Sequence, residues 1–224
     1  MSYDDQGREV TLPGAVRRVV SLVPSLTEAV ACTDPEVLVG ATAWCVHPVG
    51  LDVERVGGTK NPDLDHIRDL SPDVVLANFE ENREADLEAL RASGIAVWTT
   101  VIRTVPEALT SLDRMLTDAC RLCRPKWLDV VARAWDFPAP IRRRRAAIPV
   151  WRRPWMVVGR DTFAGDVLAR LGVDNVFAEH PERYPRVTPE EVLQVGVDLV
   201  LLPDEPYRFT AEDGPEAFPG GWPR

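Results

Sequence analysis

Apolar positions along this chain follow two rhythms. Short, mainly apolar runs at Val16–Val23 (broken by Arg17-Arg18), Val37–Ala43, Val74–Ala77 and Ile95–Thr100 alternate with segments whose apolar residues recur at helical spacing. Short apolar runs bounded by turn signals suit strands covered on both faces of a parallel sheet. Pro24 ends the first run. Ser25, with Glu28 three residues on, predicts a capped helix through Ala31. Arg83–Ala92 predicts a helix with Leu87 and Leu90 facing inward, stopped by Ser93-Gly94. Strand and helix thus alternate, and residues 1–104 read as an N-terminal α/β lobe.

The stretch from Val56 to Asn82 organises this lobe. A Gly57–Pro62 loop leads into a short helical pattern, Asp63–Leu70, then Ser71-Pro72, a buried strand and a polar tip, Asn78–Asn82. Ligands of open parallel sheets bind beyond the carboxyl ends of the strands. That places the tip, the Gly57–Asn61 loop and the segment Trp44–Pro48 at the rim of a cleft.

Residues 105–137 predict a long connecting helix. Pro106 stands in its first turn, and Leu109, Leu112, Met115, Leu116, Ala119 and Leu122 keep helical spacing; Pro125 breaks or kinks it before Trp127–Trp135. Residues 138–224 read as a C-terminal α/β lobe. Arg142–Arg145, with Pro138 and Pro140 before them, look like its least ordered part, a solvated loop or a patch for anionic groups. Strands are expected at Trp155–Gly159, Asn175–Phe177 and Asp198–Leu202. A helix from Phe163 to Leu171 is capped by Asp161 or Thr162, and another by Thr188 with Glu191. After Pro203 the chain drifts to Pro219–Pro223, with no closing helix, so this lobe looks short at its C-terminus.

The two lobes share a pattern. Asp65, Ile67, Leu70 and Asp73–Leu76 correspond to Glu190, Val192, Val195 and Asp198–Leu201, about 125 residues downstream. A pattern present twice at this distance points to two similar lobes, not to a solenoid.

Composition narrows the function classes. At 45% hydrophobic and 27% charged the chain is an ordinary globular protein. Its formal net charge of −9 argues against nucleic acid as main partner, because phosphate binding needs a cationic surface. The first twenty residues hold Asp4, Asp5 and Glu9 and no apolar core. No signal peptide and no membrane-crossing run is visible, so the chain as given reads as cytoplasmic unless an export signal is missing from it. Cys120 and Cys123 lie in a helical pattern with no second pair at metal-site spacing, so all four cysteines read as thiols.

The residues Arg18–Ser25 followed by Thr27-Glu28, the segment Val56–Val75, the Ser93-Gly94-Ile95 turn, the Gly165–Gly172 helix and the Pro189–Leu202 repeat resemble, in that order, the helical-backbone (class III) substrate-binding proteins of ABC importers. The cobalamin-binding branch is the most similar. The resemblance covers about residues 8–203. It implies two Rossmann-like lobes with parallel sheets joined by one long helix, no intrinsic cofactor, and a metal chelate held between the lobes. It further implies an acidic residue on each lobe that docks on the permease; these fall on Asp65 and Glu190, which otherwise only favour their helix N-termini. Ligand positions fall on Trp155 and Tyr184. A first-lobe aromatic of the branch falls on Thr59, with Trp44, His47 and Phe79 as nearby substitutes. His47 offers an axial nitrogen to cobalt or iron, or is a hydrogen-bonded loop residue. Lys60 and Glu80 meet amides, carboxylates or a cation, or are solvated.

The expected function is therefore capture of cobalamin or another corrinoid for ABC-type import by a monomeric protein that does not insert into the membrane. The alternative is a cytosolic sensor or chaperone using the same fold, with haem or a siderophore as ligand. No nucleophile elbow, phosphate loop or paired metal motif points to an enzyme.

Overall fold

A computed structural model describes residues 2–138, 140–210, 212, 213 and 218. The chain divides into two compact units. One comprises the residues up to Val101 with Pro106–Trp135; the other comprises Ile102–Val105 and the residues from Asp136 onward.

The first unit opens with two short antiparallel strands, β1 (Ser2–Tyr3) and β2 (Glu9–Val10). Then follow β3 (Val19–Ser21), α1 (Pro24–Ala31), β4 (Leu38–Ala41), β5 (Glu54–Arg55), the two-stranded β6 (Gly57–Gly58) and β7 (Asn61–Pro62), α2 (Leu64–Asp69), β8 (Val74–Asn78), α3 (Glu84–Ala92) and β9 (Val97–Thr100). Five strands form one parallel sheet in the order β5-β4-β3-β8-β9. Side chains alternate across such a sheet. Val19, Val74 and Leu76 therefore join α1 on one face, whereas Val20, Val75 and Ala77 meet Ile67, Leu87 and Leu90 of α2 and α3 on the other. Both faces are covered, which is why these strands are apolar without alternation.

The expected connecting helix is two helices. α4 (Val105–Arg114) runs into a π-helical turn, Met115–Ala119; the chain then breaks, with Arg121 in the left-handed region at φ 56°, and α5 (Lys126–Ala134) starts after Pro125. Met115, Leu116, Ala119 and Cys120 are buried against Val19, Val74 and Trp98, so this segment caps one sheet face of the first unit.

The second unit contains β10 (Arg144–Ala147), β11 (Pro149–Arg152), β12 (Trp155–Val157), α6 (Phe163–Arg170), β13 (Val173–Asn175), α7 (Pro189–Gln194) and β14 (Leu199–Val200). Its parallel sheet has the order β13-β10-β14, and β11-β12 form an antiparallel pair. The second half of the arginine run expected as a loop, Arg144-Arg145, thus opens the central strand. Two side chains of the run have partners: Arg143 pairs with Asp174 at 2.5 Å, and Arg145 donates to the Val195 carbonyl at 2.8 Å.

That last contact extends the internal repeat. In the first unit the Asp73 carboxylate accepts from the backbone N–H groups of Arg17 (2.7 Å) and Arg18 (2.9 Å), and the Arg18 guanidinium donates to the Leu70 carbonyl at 2.6 and 2.9 Å. In the second, Asp198 accepts from the Arg145 N–H at 2.8 Å. Each unit therefore locks the amino end of its central strand with the same arginine–aspartate arrangement.

Two further differences have local causes. Ser25 is not a cap. Pro24, whose fixed φ suits the first helical position, starts α1 two residues earlier, leaving Val23 at the cap position with no side-chain bond. The drift after Pro203 is not loose where it is described: Tyr207, Phe209 and Phe218 gather around Trp151 and Trp155. Pro219–Pro223 lie outside the described residues, and with them most of the expected shortening.

Candidate functional site

The carboxyl ends of β4 and β8 carry the first group of expected site residues. After β4 the chain turns at Thr42 and presents Trp44 and His47. Trp44 is 69% exposed, and His47 is also exposed. Between them Cys45 is fully buried. Its Sγ lies 3.0 Å from Thr27 Oγ1 and 3.2 Å from Thr42 Oγ1, so the loop is pinned at one residue while its neighbours face outward.

The β6–β7 hairpin stands beside this loop. Gly57 has φ 82°, and a Cβ there would lie 2.9 Å from the Asn61 carbonyl, so the turn requires glycine. Thr59 is 9% exposed, and its carbonyl accepts from Asn82 Nδ2 at 2.9 Å. Asn82 Oδ1 accepts from the Asn78 N–H at 2.9 Å, Asn78 Oδ1 accepts from the Glu80 N–H at 2.9 Å, and Lys60 Nζ donates to the Glu80 carbonyl. Hairpin and tip are thereby one polar-stitched platform. Phe79 projects from it, 49% exposed. Trp44 Nε1 lies 3.6 Å from where a Cβ on Gly58 would stand, which sets the indole against the hairpin.

Lys60 is thus tied to the platform, and Thr59 acts through its backbone rather than as a ligand-sized side chain. Asn78 and Asn82 carry the positioning. Their signal in the sequence was the polar tip itself, but pairing between them is visible only once β8 and the hairpin are adjacent.

Trp155 and Tyr184 occupy different surroundings in the second unit. Trp155 is half-buried, with Phe209 stacked on it (5.8 Å between ring centroids, 16° between planes) and the edge of Phe218 at 5.4 Å. Its ring belongs in part to the core of this unit. It also lines a shallow groove with Arg153, Arg186, Thr188 and Glu190. Tyr184 is 38% exposed in a loop that folds back on Gly159, whose N–H donates to the Arg183 carbonyl at 2.7 Å.

A cationic cluster surrounds that loop. Arg160 Nε donates to the Asp161 carboxylate at 2.8 Å; Arg183 donates to the Asp161 carbonyl at 2.6 and 3.0 Å and lies over the Tyr184 ring at 5.9 Å. The Arg160 hydrogen bond, with the fields of Arg103 and Arg183, holds the Asp161 carboxyl below its ordinary range. Three guanidinium groups thus act on the single Asp161 carboxylate.

Asp65 and Glu190 occupy the same place in their helices, the second residue of α2 and of α7. The Asp65 side chain is 92% exposed although it pairs with Arg68, and Glu190 is exposed. Each lies in the first turn, where a carboxylate favours the helix N-terminus. The work of capping belongs to other residues, Asp63 and the Thr188–Glu191 box. Among the described residues no group of three or more histidine, cysteine or acidic side chains is arranged to hold a metal ion, and no helix is long and apolar enough to cross a membrane.

No protein-family model matches the chain. It is 26% identical over 209 residues to a protein named vitamin B12-binding protein of Pectobacterium carotovorum, covering 87% of this chain and 74% of that one. In fold it is similar to the periplasmic vitamin B12 binding protein of Vibrio cholerae, with a TM-score of 0.71 at 20% identity over 85% of this chain and 77% of that one. It is similar also to a periplasmic heme binding protein of Vibrio cholerae, with a TM-score of 0.73 at 21% identity over 90% of this chain and 82% of that one. The chain therefore resembles the vitamin B12-binding proteins in sequence and has the α/β fold of the class III periplasmic binding proteins.

Proposed function

We propose that this protein is a substrate-binding protein for a metal chelate, cobalamin or another corrinoid first, and that it delivers the chelate to an ABC-type importer. The observation that carries this reading is the outward-facing pair Trp44 and Phe79 on a platform fixed by hydrogen bonds at the carboxyl ends of a parallel sheet. Large exposed rings held in place lose little entropy on binding and offer apolar area to a flat guest. The likeness to vitamin B12-binding proteins supports the same ligand.

In this reading Trp44, Phe79, Lys60 and Glu80 form the contact surface of the first unit, with Thr59 beneath them as a backbone support, and Tyr184 and the exposed part of Trp155 form that of the second. His47, which is exposed, supplies a ring nitrogen to the metal. Asp65 and Glu190 are the permease contacts. The structural relatives are named periplasmic, which favours an extracytoplasmic protein over the cytoplasmic expectation and an importer component over a cytosolic sensor or chaperone. The protein works as a monomer and has no enzymatic step.

Titration with cyanocobalamin, aquocobalamin, haemin and ferric siderophores, followed by absorbance and calorimetry, tests this. A saturable one-to-one isotherm with a corrinoid is expected. Trp44→Ala and Phe79→Ala each weaken it about fivefold, the worth of one aromatic contact. His47→Ala removes the spectral change with aquocobalamin but not with cyanocobalamin. Featureless titrations with every chelate at tens of micromolar protein would remove the reading. A second reading, in which the ligand is haem or another chelate bearing carboxylates, is favoured by the three guanidinium groups around Asp161 beside Tyr184. Haemin then binds more tightly than any corrinoid.

A further inference from the structure

We infer that Arg55 is the positioning residue of the first unit's ligand surface: one guanidinium gathers the start, middle and end of the loop that presents Trp44 and His47. The inference rests on the reading above for the purpose of that loop, but not for the clamp itself.

Arg55 lies on β5, the edge strand, paired with Ala41 at the end of β4. From there its Nη1 donates to the carbonyls of Thr42 (3.2 Å) and Cys45 (2.9 Å), and its Nη2 donates to the carbonyl of Leu51 (3.1 Å). The loop has few ties of its own. Within it Cys45 N–H donates to Thr42, Val46 N–H to Trp44, and Leu51 N–H to Pro48.

The loop is also apolar where it should be soluble. Trp44, Val46 and Val49 are 69%, 61% and 87% exposed. A slack loop with those side chains would collapse onto the nearest apolar surface. Holding it open requires a donor set that reaches three carbonyls at once, and a planar fork of N–H groups does this where a single ammonium cannot. Cys45 fixes one point from beneath; Arg55 fixes the two ends against that point. Sequence alone gives no hint of this, because Arg55 precedes the hairpin and lies outside every motif.

Two measurements on the full chain decide it. Hydrogen exchange of the ligand-free protein is compared for wild type, Arg55→Lys and Arg55→Met. Loss of hydrogen bonds to a charged donor should speed exchange in residues 42–51 by about tenfold or more in Arg55→Met and by less in Arg55→Lys, with β8 and α2 unchanged. Cyanocobalamin affinity should then fall in Arg55→Met about as far as in Trp44→Ala, and the double variant should lose no more than either alone, because both act through one loop. Equal exchange rates in the loop overturn the clamp. A loosened loop with unchanged affinity, or fully additive losses, overturns its role in binding. If wild type binds no chelate, the function proposed above is what fails, and the clamp stands or falls on exchange alone. Should Arg55→Met not fold, Arg55→Lys carries both measurements.

Discussion

Substituting Gly159 by alanine puts a single methyl group where the Tyr184 loop crosses the chain just beyond β12. The new Cβ would stand 2.9 Å from Pro185 Cδ and 3.0 Å from the Arg183 carbonyl, and closer still to the Glu182 carbonyl. Two of these three neighbours are backbone, so no rotamer change relieves them. Forcing one methyl into such a site costs about 1–3 kcal/mol. Moving the loop to make room also breaks the bond from Gly159 N–H to the Arg183 carbonyl, about 1 kcal/mol more. The sum, about 2–4 kcal/mol, is a large part of the stability of a small domain. Gly14→Ala is the control, since nothing lies within 4 Å of the added atom and the site is exposed. Urea unfolding with pulse-labelling mass spectrometry reads peptides of the second unit separately, as a chain of two units requires. A loss below about 0.5 kcal/mol at Gly159, no larger than at an ordinary surface site, would refute the packing argument.

Thiol chemistry separates the cysteines: Cys32 and Cys123 are exposed, Cys45 and Cys120 buried, and burial pushes the Cys120 thiol up to about 12. A thiol reagent at pH 8 should therefore label Cys32 and Cys123 in the native protein and reach the other two only in denaturant. Asp174→Asn should destabilise the second unit at neutral pH. The Arg143 hydrogen bond lowers the Asp174 carboxyl below its ordinary 3.8, so its contribution is full above that value and disappears as pH falls through the lowered one. Urea midpoints of the variant and wild type should converge under acid, and a constant gap at every pH would contradict the pairing. Asp65→Lys and Glu190→Lys should each leave chelate affinity unchanged while lowering stimulation of the cognate importer's ATPase in liposomes; unchanged stimulation in the double variant would exclude docking through these carboxylates.

What the sequence made legible was local or periodic. The α2–β8 segment, the inward Leu87 and Leu90 and the Thr188–Glu191 box are readable because each is decided within a few residues, and the structure chooses Thr162 over Asp161 as the cap of α6. The hidden parts depend on distant partners. Arg142–Arg145 are exposed, as expected, but Arg144 and Arg145 read as a loop because the strands that flank them and the partners of Arg143 and Arg145, Asp174 and the Val195 carbonyl, are far along the chain. The same is true of the site. Trp44 and Phe79 were nameable as aromatics near strand ends, but the Asn78–Asn82 and Arg55 contacts that hold them exist only in three dimensions. Trp155 shows the converse: an aromatic named for ligand contact is largely occupied by Phe209 and Phe218, from a tail that periodicity did not mark as core.

The paired arginine–aspartate locks, Arg18 with Asp73 and Arg145 with Asp198, sit at the amino ends of the strands, away from the loops at their carboxyl ends. Mutations among those loops thus leave the fastening of each half untouched. Such a division lets loop composition change without touching either fastener, and because every contact of a fastener ends on backbone, its aspartate and its arginine can each be replaced without a compensating change in the other.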